Sequence, residues 1–493
     1  MIMLQNSGKS WEVSHRMTKS SKEILKRLSL LSEVLGSPKS SGDERQQVID
    51  GLEKSSSSTN VWLSLAILNA GYPTGAEVGE ARNLLRVAGG QKFLDTVLNK
   101  LTSVEPVEFE IIEDAVVVDV MHTANTELAT GIQRVVRETV SRWSQEHQLV
   151  LATWTLDRRS LRRLTPAEED TALRGAMPPG LIPRSESSKI LIPLRGRYVM
   201  PELGAEHWRT ARVSALAEYT EVSAGLIGHD CVPLTTAETT GVGMPAGFAR
   251  YLSAASRMDR ISVTSVASQA EYGGWKEMLH GIGFEGPELR LQPLACEISL
   301  PTQSELESFE SQHRTTELPL VVVVGSHEPR KNHLAVLRAV EKCWDAGLRF
   351  EILFIGGNSW NSQRFDNRVE ELRSQGIPVR TASAVSDSDL YSAYKIARFS
   401  VYPSVNEGFG LPVAESLMLG TPVITSEFGS MADIGRGYGA LLVNPRESDD
   451  IARAMSELLT DDKLYEDLVA ASLSYSAKSW DDYARETWEF LGA

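Results

Sequence analysis

Two carboxylates, Glu407 and Glu415, stand in the stretch NEGFGLPVAESLMLGTPV, residues 406–423, on either side of Gly408, Gly410 and Pro412. Paired acids of this kind have several uses. In a glycosidase they flank one bond at about 5–9.5 Å. In a metal site they are joined by clustered His or Asp ligands, and this stretch holds neither residue type. In a ligand grip both acids accept hydrogen bonds from hydroxyls. The plainest use is an acidic helix start stabilised by the helix dipole. Pro412 suits the first turn of a helix and Gly420 its stop. Glu407 then lies in a loop and Glu415 in the opening turns, so the two do not share one helical face. Gly408 and Gly410 allow the backbone to approach a ligand closely. The free N–H groups of the helix start make an anion site.

A second constellation is VVVVGSHEPRKN, residues 321–332. The strand run ends at Gly325, and Arg330 and Lys331 follow in the loop. Strand ends of open α/β sheets face the ligand crevice. Two adjacent cations there suit a diphosphate. The alternative is a solvated basic pair at a helix start. Cations at a helix N-terminus oppose its dipole, however, and an anion would answer them.

The elements that must position these residues follow from periodicity. Residues 1 to about 108 read as helical. SKEILKRLSLLSEVL spaces Ile24, Leu25, Leu28, Leu31, Val34 and Leu35 along one helical face behind a Ser20/Ser21 cap. Polar stretches SPKSSGDE and EKSSSSTN break the region, and VWLSLAILNAG and QKFLDTVLNKL continue it. From about 112 the texture changes. AVVVDVM, LVLATW, AGLIGHD, ISVTS and LRLQPL read as strands, with the helical GIQRVVRETVSRW after the first. After PTQSELESFESQHRTTE the alternation restarts with LPLVVVVGS, FEILFIGG, RFSVYPS, PVITS and ALLVN. Two serial α/β units of Rossmann size imply two sheets facing across a cleft. The expected divisions are a helical extension at 1–110, a first Rossmann-like domain at 111–305, a second at 306–475, and a final helix at 476–493 crossing back to the first domain.

Composition bounds the partners. The chain has 493 residues, 42% hydrophobic and 23% charged, as an ordinary globular protein does. A net charge of −15 argues against nucleic acid held by overall charge. No run approaches the ~20 apolar residues that span a bilayer, and the N-terminus lacks the apolar core of a secretion signal. Cys231, Cys296 and Cys343 are scattered and read as reduced thiols in a cytoplasm.

Taken together, EGFGLPVAESLMLGTPVITS and VGSHEPRKN resemble the E-x7-E block and donor-phosphate loop of retaining glycosyltransferases of family 4, which have the GT-B fold. DLYSAYKIARFSVYPS, FIGG and the terminal SWDDYARETWEFL occur in that family's order. GLIGHDCVPL and ISVTSVASQAEY resemble its N-terminal domain. The resemblance spans roughly residues 115 to 493. It implies that Glu407 contacts donor-sugar hydroxyls and Glu415 the nucleotide ribose. Backbone amides around Phe409, Gly410 and Leu411 would hold sugar and phosphate, and Arg330 and Lys331 the diphosphate, close to Gly325. From the first domain, Gly131 in TGIQRVVRE would approach the donor and His229 would face the transferred sugar. The chain departs from the family at Pro293, Leu294 and Ala295, where Asn-Gly is common, and at Asp433, where Glu is usual.

The implied chemistry is transfer of a hexose or deoxyhexose from a nucleotide-diphosphate sugar to a hydroxyl of a glycan or lipid-linked acceptor, with retention. No further cofactor is implied, and the PRKN loop with the His229–Asp230 pair resembles members that use GDP-mannose. Charge growing on the leaving diphosphate would be met by Arg330, Lys331 and helix-end amides, which makes a metal unnecessary. Asp387-Ser388-Asp389 matches a metal-binding DxD pattern but reads as an acidic helix start with its cap. The rivals are a catalytically inert GT-B subunit that binds glycan or stabilises a partner, and a nucleotide-sugar epimerase of the same fold. Finally, Lys9, Arg16, Lys19, Lys22, Lys26 and Arg27 face only Glu12 and Glu23 in the first thirty residues, a net of 6 − 2 = +4. Such a tip could dock at an anionic membrane face or a protein partner there. The alternative is that its apolar residues pack on neighbouring helices.

Overall fold

The computed structural model describes residues 19–36, 43–101, 104–126, 131–175 and 189–493. The chain begins with four helices, α1 (Lys19–Val34), α2 (Glu44–Lys54), α3 (Ser58–Leu68) and α4 (Gly75–Asn99). Helix α3 is buried from Val61 to Leu68. An element apolar all round must be enclosed, and α1, α4, the helix His207–Tyr219 and the strand Ile190–Pro193 pack around it. Helix α1 starts at Lys19, so Ser20 and Ser21 are inside its first turn and do not cap it.

The bundle decides how α1 uses its two faces. Leu28 is 3% exposed and Leu31 is fully buried. Arg27 is buried too, donating to the Leu68 carbonyl at 2.7 Å, the Glu105 carbonyl at 2.7 Å and Glu23 at 3.3 Å. The apolar side of α1 and one of its four cations, Arg27, are therefore committed to the protein's own core. This is the alternative in which the apolar residues of α1 pack on neighbouring helices. Lys22 and Lys26 remain exposed, and Lys9 and Arg16 lie outside the described residues.

A two-stranded ladder follows, pairing β1 (Phe109–Ile112) with β5 (Ile190–Pro193) in parallel. The first large sheet has the order β4-β3-β2-β6-β7-β8-β9. Its strands are β2 (Ala115–Asp119), β3 (Leu149–Trp154), β4 (Leu161–Arg163), β6 (Arg195–Met200), β7 (Glu221–Gly228), β8 (Arg260–Val263) and β9 (Glu288–Leu291). Only β4 runs antiparallel. The second sheet, wholly parallel, has the order β12-β11-β10-β13-β14-β15. It comprises β10 (Leu320–Val324), β11 (Glu351–Ile355), β12 (Val379–Ala382), β13 (Phe399–Tyr402), β14 (Val423–Ser426) and β15 (Ala440–Val443). Helices cover both faces, which explains the near-continuous burial of β10, β11, β13 and β14. The helix Gln303–His313 packs on the second sheet's Asp387–Ile396 helix, with Ser388 donating to Glu305 at 2.6 Å.

Two devices join the halves. The last helix, Trp480–Leu491, lies against α5 (Gly131–Glu146) of the first domain. The Trp143 indole donates to the Ala484 carbonyl at 2.8 Å, and Arg260 donates to the Phe490 carbonyl at 2.7 Å. Leu294 and Ala295 of the crossover segment are buried with Val135, Trp480 and Tyr483. Two residues of that departure, Leu294 and Ala295, thus form part of the apolar seam between the domains, while Pro293 is exposed.

Candidate functional site

Adjacent strands β10 and β13 end side by side, and each carries one half of a charged cluster. Beyond β10 the chain makes a short turn at Pro329–Lys331 and enters the helix His333–Asp345 through Asn332. Asn332 holds a left-handed conformation with φ 62°, which Asn tolerates better than most residues. Its side-chain amide donates to the carbonyls of Pro403 and Pro445 at 3.2 and 2.5 Å. The β13 side answers with Val405 N–H and the Ser404 hydroxyl, both donating to the Arg330 carbonyl at 2.9 and 3.0 Å. The turn and the 404–407 loop are therefore stitched into one unit.

Glu407 sits at its centre, 9% exposed. Its Oε1 accepts from Lys331 Nζ at 2.7 Å, the Tyr402 hydroxyl at 2.8 Å and the Ser404 hydroxyl at 2.6 Å. Its Oε2 pairs with Arg330, which also binds Glu328 at 2.6 Å. Burial opposes the carboxylate's charge, but Arg330 and Lys331 outweigh it and hold Glu407 at about 2. Lys331 is pushed below the usual lysine range, first by burial and then by Arg330. Burial also works against Arg330, yet Glu407 and Glu328 hold it above its ordinary value. The basic pair is thus no solvated surface feature. It is a buried pair of cations whose counter-charges are the protein's own acids. Tyr402, Ser404 and Glu328 were not legible as participants, although Tyr402 stands at the end of a strand already recognised.

The glycine-rich loop also serves an approach between the two domains. A Cβ on Gly408 would lie 2.6 Å from the His229 carbonyl oxygen, so this glycine lets the other domain, rather than a ligand alone, come close. Gly410 has φ 105° and opens the helix Leu411–Met418 with no side-chain cap; Pro412 has no N–H and the Val413 N–H donates to the Gly410 carbonyl at 2.9 Å, which leaves the Leu411 N–H for another acceptor. Pro412 lies in that first turn. Gly420, at φ 77°, follows the last helical turn. Phe409 and Leu411 are partly buried against the seam of Leu294, Ala295 and Trp480.

The first domain supplies the facing wall. His229 follows β7 and is half-buried. Its Nε2 donates to the Pro201 carbonyl at 2.9 Å, which leaves Nδ1 as the unprotonated nitrogen in the neutral ring. Burial lowers its pKa below the ordinary value. Beneath it, buried Arg209 binds Asp119 at 2.9 Å and Glu202 at 3.0 Å, fixing the ends of β2 and β6. Ser268 donates to the carbonyls of His229 and Gly408 at 2.7 and 3.1 Å. The Asn406 amide donates to Thr235 at 2.8 Å and Glu271 at 3.0 Å. Gly131 begins α5, and a Cβ there would meet no protein atom within 4 Å. Gly325 ends β10 beside the Lys331 stem.

Glu415 is separate from this cluster. Its side chain is 4% exposed and pairs at 3.0 Å with Arg134 of α5, across the cleft. Sequence reasoning missed Arg134 although it stands three residues after Gly131 in TGIQRVVRE. Asp433 is exposed. Asp387 and Asp389 lie in the first turn of their helix, where Ser386 accepts from the Asp389 N–H. Among the described residues no three His, Cys, Asp or Glu side chains gather as metal ligands would.

Residues 304–474 match the family described as Glycosyl transferases group 1. The chain is 31% identical over 166 residues to an O-antigen chain mannosyltransferase B of Escherichia coli, covering 33% of this chain and 43% of that protein. It is 37% identical over 256 residues to a serotype-specific mannosyltransferase WbdA of Escherichia coli, covering 49% of this chain and 30% of that protein. The matches thus span less than half the length of these relatives. Anabaena Alr3699/HepE in complex with UDP and glucose superposes with a TM-score of 0.57 at 11% identity, covering 77% of this chain and 100% of that one. WaaG, a glycosyltransferase involved in lipopolysaccharide biosynthesis, does so with a TM-score of 0.51 at 12% identity, covering 77% and 100%. The chain therefore has the GT-B fold, two Rossmann-like halves preceded by a helical region, and residues 304–474 match the glycosyl transferases group 1 family, with mannosyltransferases among the similar proteins.

Proposed function

We propose that the protein is a retaining glycosyltransferase that moves a hexose or deoxyhexose from a nucleotide-diphosphate sugar to a hydroxyl of a glycan or lipid-linked acceptor, in polysaccharide biosynthesis. The observation that carries this reading is the buried Glu407–Arg330–Lys331 cluster at the paired ends of β10 and β13, facing His229 across the cleft. A donor diphosphate entering there meets two cations already desolvated and aimed. As the sugar departs with oxocarbenium character, charge grows on the diphosphate. Arg330, Lys331 and the Leu411 N–H at the start of the helix Leu411–Met418 stabilise it without reorganising. Glu407 orders the cations and offers its carboxylate to sugar hydroxyls. His229 lines the sugar pocket from the acceptor side, and Glu415 accepts the ribose hydroxyls.

Mannose is the favoured sugar, since two relatives are mannosyltransferases by name, and GDP the favoured nucleotide carrier, from the resemblance of the PRKN loop and the His229–Asp230 pair. The proposed setting is the cytoplasm at the inner face of a membrane, where lipid-linked acceptors present their glycans. Among the described residues no helix is long and apolar enough to cross a membrane.

A donor screen tests the reading: release of nucleoside diphosphate is followed for GDP- and UDP-sugars, first without acceptor and then with candidate glycans, and product anomers are read by NMR. Acceptor-dependent release with a retained anomer is expected, and it persists in EDTA. Release from no donor favours the inert-subunit alternative. An inverted anomer refutes retention. Loss in EDTA restored by magnesium or manganese refutes metal independence.

A further inference from the structure

Arg134 reaches Glu415 from the opposite domain. Its Nη1 donates to Glu415 Oε1 at 3.0 Å and its Nη2 to the Tyr391 hydroxyl at 3.0 Å, while Nη2 also approaches the Glu297 carbonyl at 3.4 Å. Glu415 is buried within the second domain, so its opposing charge arrives from the first. The groups on the other elements packed around it do not supply one. Asp387, Tyr391 and Tyr394 come from the helix Asp387–Ile396, and Cys296 from the crossover segment. Burial pushes Glu415 above the usual carboxylate range, Asp387 adds to this, and Arg134 pulls against it.

The pairing has a chemical consequence. An ionised carboxylate accepts through both oxygens, whereas a protonated acid spends one on its own proton. A ribose diol donates two hydrogen bonds and is best held by the ionised form. Space exists beside Arg134. Arg134 and Tyr391 line a cavity of about 440 Å³, together with Glu138, Asp387 and Trp480, while Glu415 stands behind Arg134 and does not line it. That size lies in the range of small-molecule sites.

We propose that Arg134 is a positioning residue of the nucleotide site: pairing with Glu415 across the cleft, it keeps that carboxylate ionised and aimed, so that capture of the ribose requires both domains at once. The proposal rests on the reading of Glu415 as the ribose acid. It makes Arg134 act through Glu415 and not on the phosphates, which belong to Arg330 and Lys331.

The test is calorimetric titration of the full chain with GDP, UDP and inorganic pyrophosphate, for wild type, Arg134→Gln, Arg134→Lys, Glu415→Gln and the Arg134→Gln/Glu415→Gln double variant. Arg134→Gln is expected to weaken the preferred nucleoside diphosphate by about tenfold, the loss of one charge-assisted contact. The loss grows as pH falls, because Glu415 without its cation takes up a proton, and shrinks as pH rises. Pyrophosphate binding stays at the wild-type value. In the Glu415→Gln background, Arg134→Gln adds nothing. Arg134→Lys restores most of the affinity and flattens the pH dependence, and it carries the test if Arg134→Gln fails to fold. Equal weakening of pyrophosphate and nucleotide overturns the proposal, as do additive losses in the double variant or a pH-independent loss in both Arg134 variants. Wild type that binds nucleotide, with Arg134→Gln unaffected, overturns it alone. Wild type that binds no nucleoside diphosphate removes the ribose reading and this proposal with it.

Discussion

Glu407→Gln separates two roles that one carboxylate combines. The substitution keeps the size of the side chain but removes the charge shared by Arg330 and Lys331. Glutamine still accepts at Oε1 from Lys331, Tyr402 and Ser404, but its amide, if turned toward Arg330, sets donor against donor. Glu407 is held at about 2 against an ordinary value of 4.5, which corresponds to roughly 3 kcal/mol at about 1.4 kcal/mol per pKa unit. Removing one partner of a buried ion pair costs about 3–5 kcal/mol, so the two routes agree. Glu407 is depressed in the folded state. Its contribution is therefore complete above pH about 4.5 and is lost as pH falls toward about 2. Urea unfolding at neutral pH is expected to show the second domain of Glu407→Gln weakened by about 3 kcal/mol, with the difference from wild type shrinking in acid. Pyrophosphate, by replacing the lost counter-charge, is expected to recover part of the deficit. Turnover should fall about ten- to hundredfold at saturating donor, from the lost charge-assisted bonds to sugar hydroxyls. Wild-type stability at neutral pH with a constant difference across pH would refute the ion-pair argument. Destabilisation that pyrophosphate leaves untouched would refute the claim that the cations face an anion site.

Three further outcomes can be checked. Lys331→Ala is expected to lower turnover by roughly 10²–10³, as removal of one oxyanion donor does, with Arg330→Ala similar, and normal rates in both would make the pair purely structural. Gly408→Ala puts a methyl carbon 2.6 Å from the His229 carbonyl oxygen; transfer should drop at least tenfold as domain approach is blocked, while pyrophosphate binding by the second domain persists, and unchanged transfer would show that the close approach is dispensable. Truncation of residues 1–36 removes the buried Leu28 and Leu31 from the bundle. It should lower the melting temperature without changing salt-sensitive flotation on anionic vesicles, whereas a selective loss of flotation would support the membrane-docking role.

Much of the architecture could be read along the chain because parallel strands buried on both faces are written as uninterrupted β-branched runs. AVVVD and LVVVV became β2 and β10. The central strand β6 escaped because Arg195, Gly196 and Arg197 occupy its first half, which is only partly buried, and buried residues begin at Tyr198. β12 was lost similarly, since Arg380 and Thr381 leave VRTA without a strong pattern. In those strands the neighbours, not the local sequence, fix the conformation. The helix at Leu411–Met418 was legible because Pro412 and Gly420 mark its ends with covalent constraints on φ.

The sequence by itself singled out the candidate residues: the two acids of the 406–423 stretch, the Arg330–Lys331 pair and the glycines that shape their loops. Only the tertiary structure decided what those charges face. Glu407 meets Arg330 and Lys331 because β10 and β13 are neighbours in the sheet although nearly eighty residues separate them along the chain. Glu415 meets Arg134 because two domains close on one another. Periodicity reports which way a side chain points relative to its own element. Partners across a sheet or a cleft depend on strand order and domain placement, which no local pattern encodes.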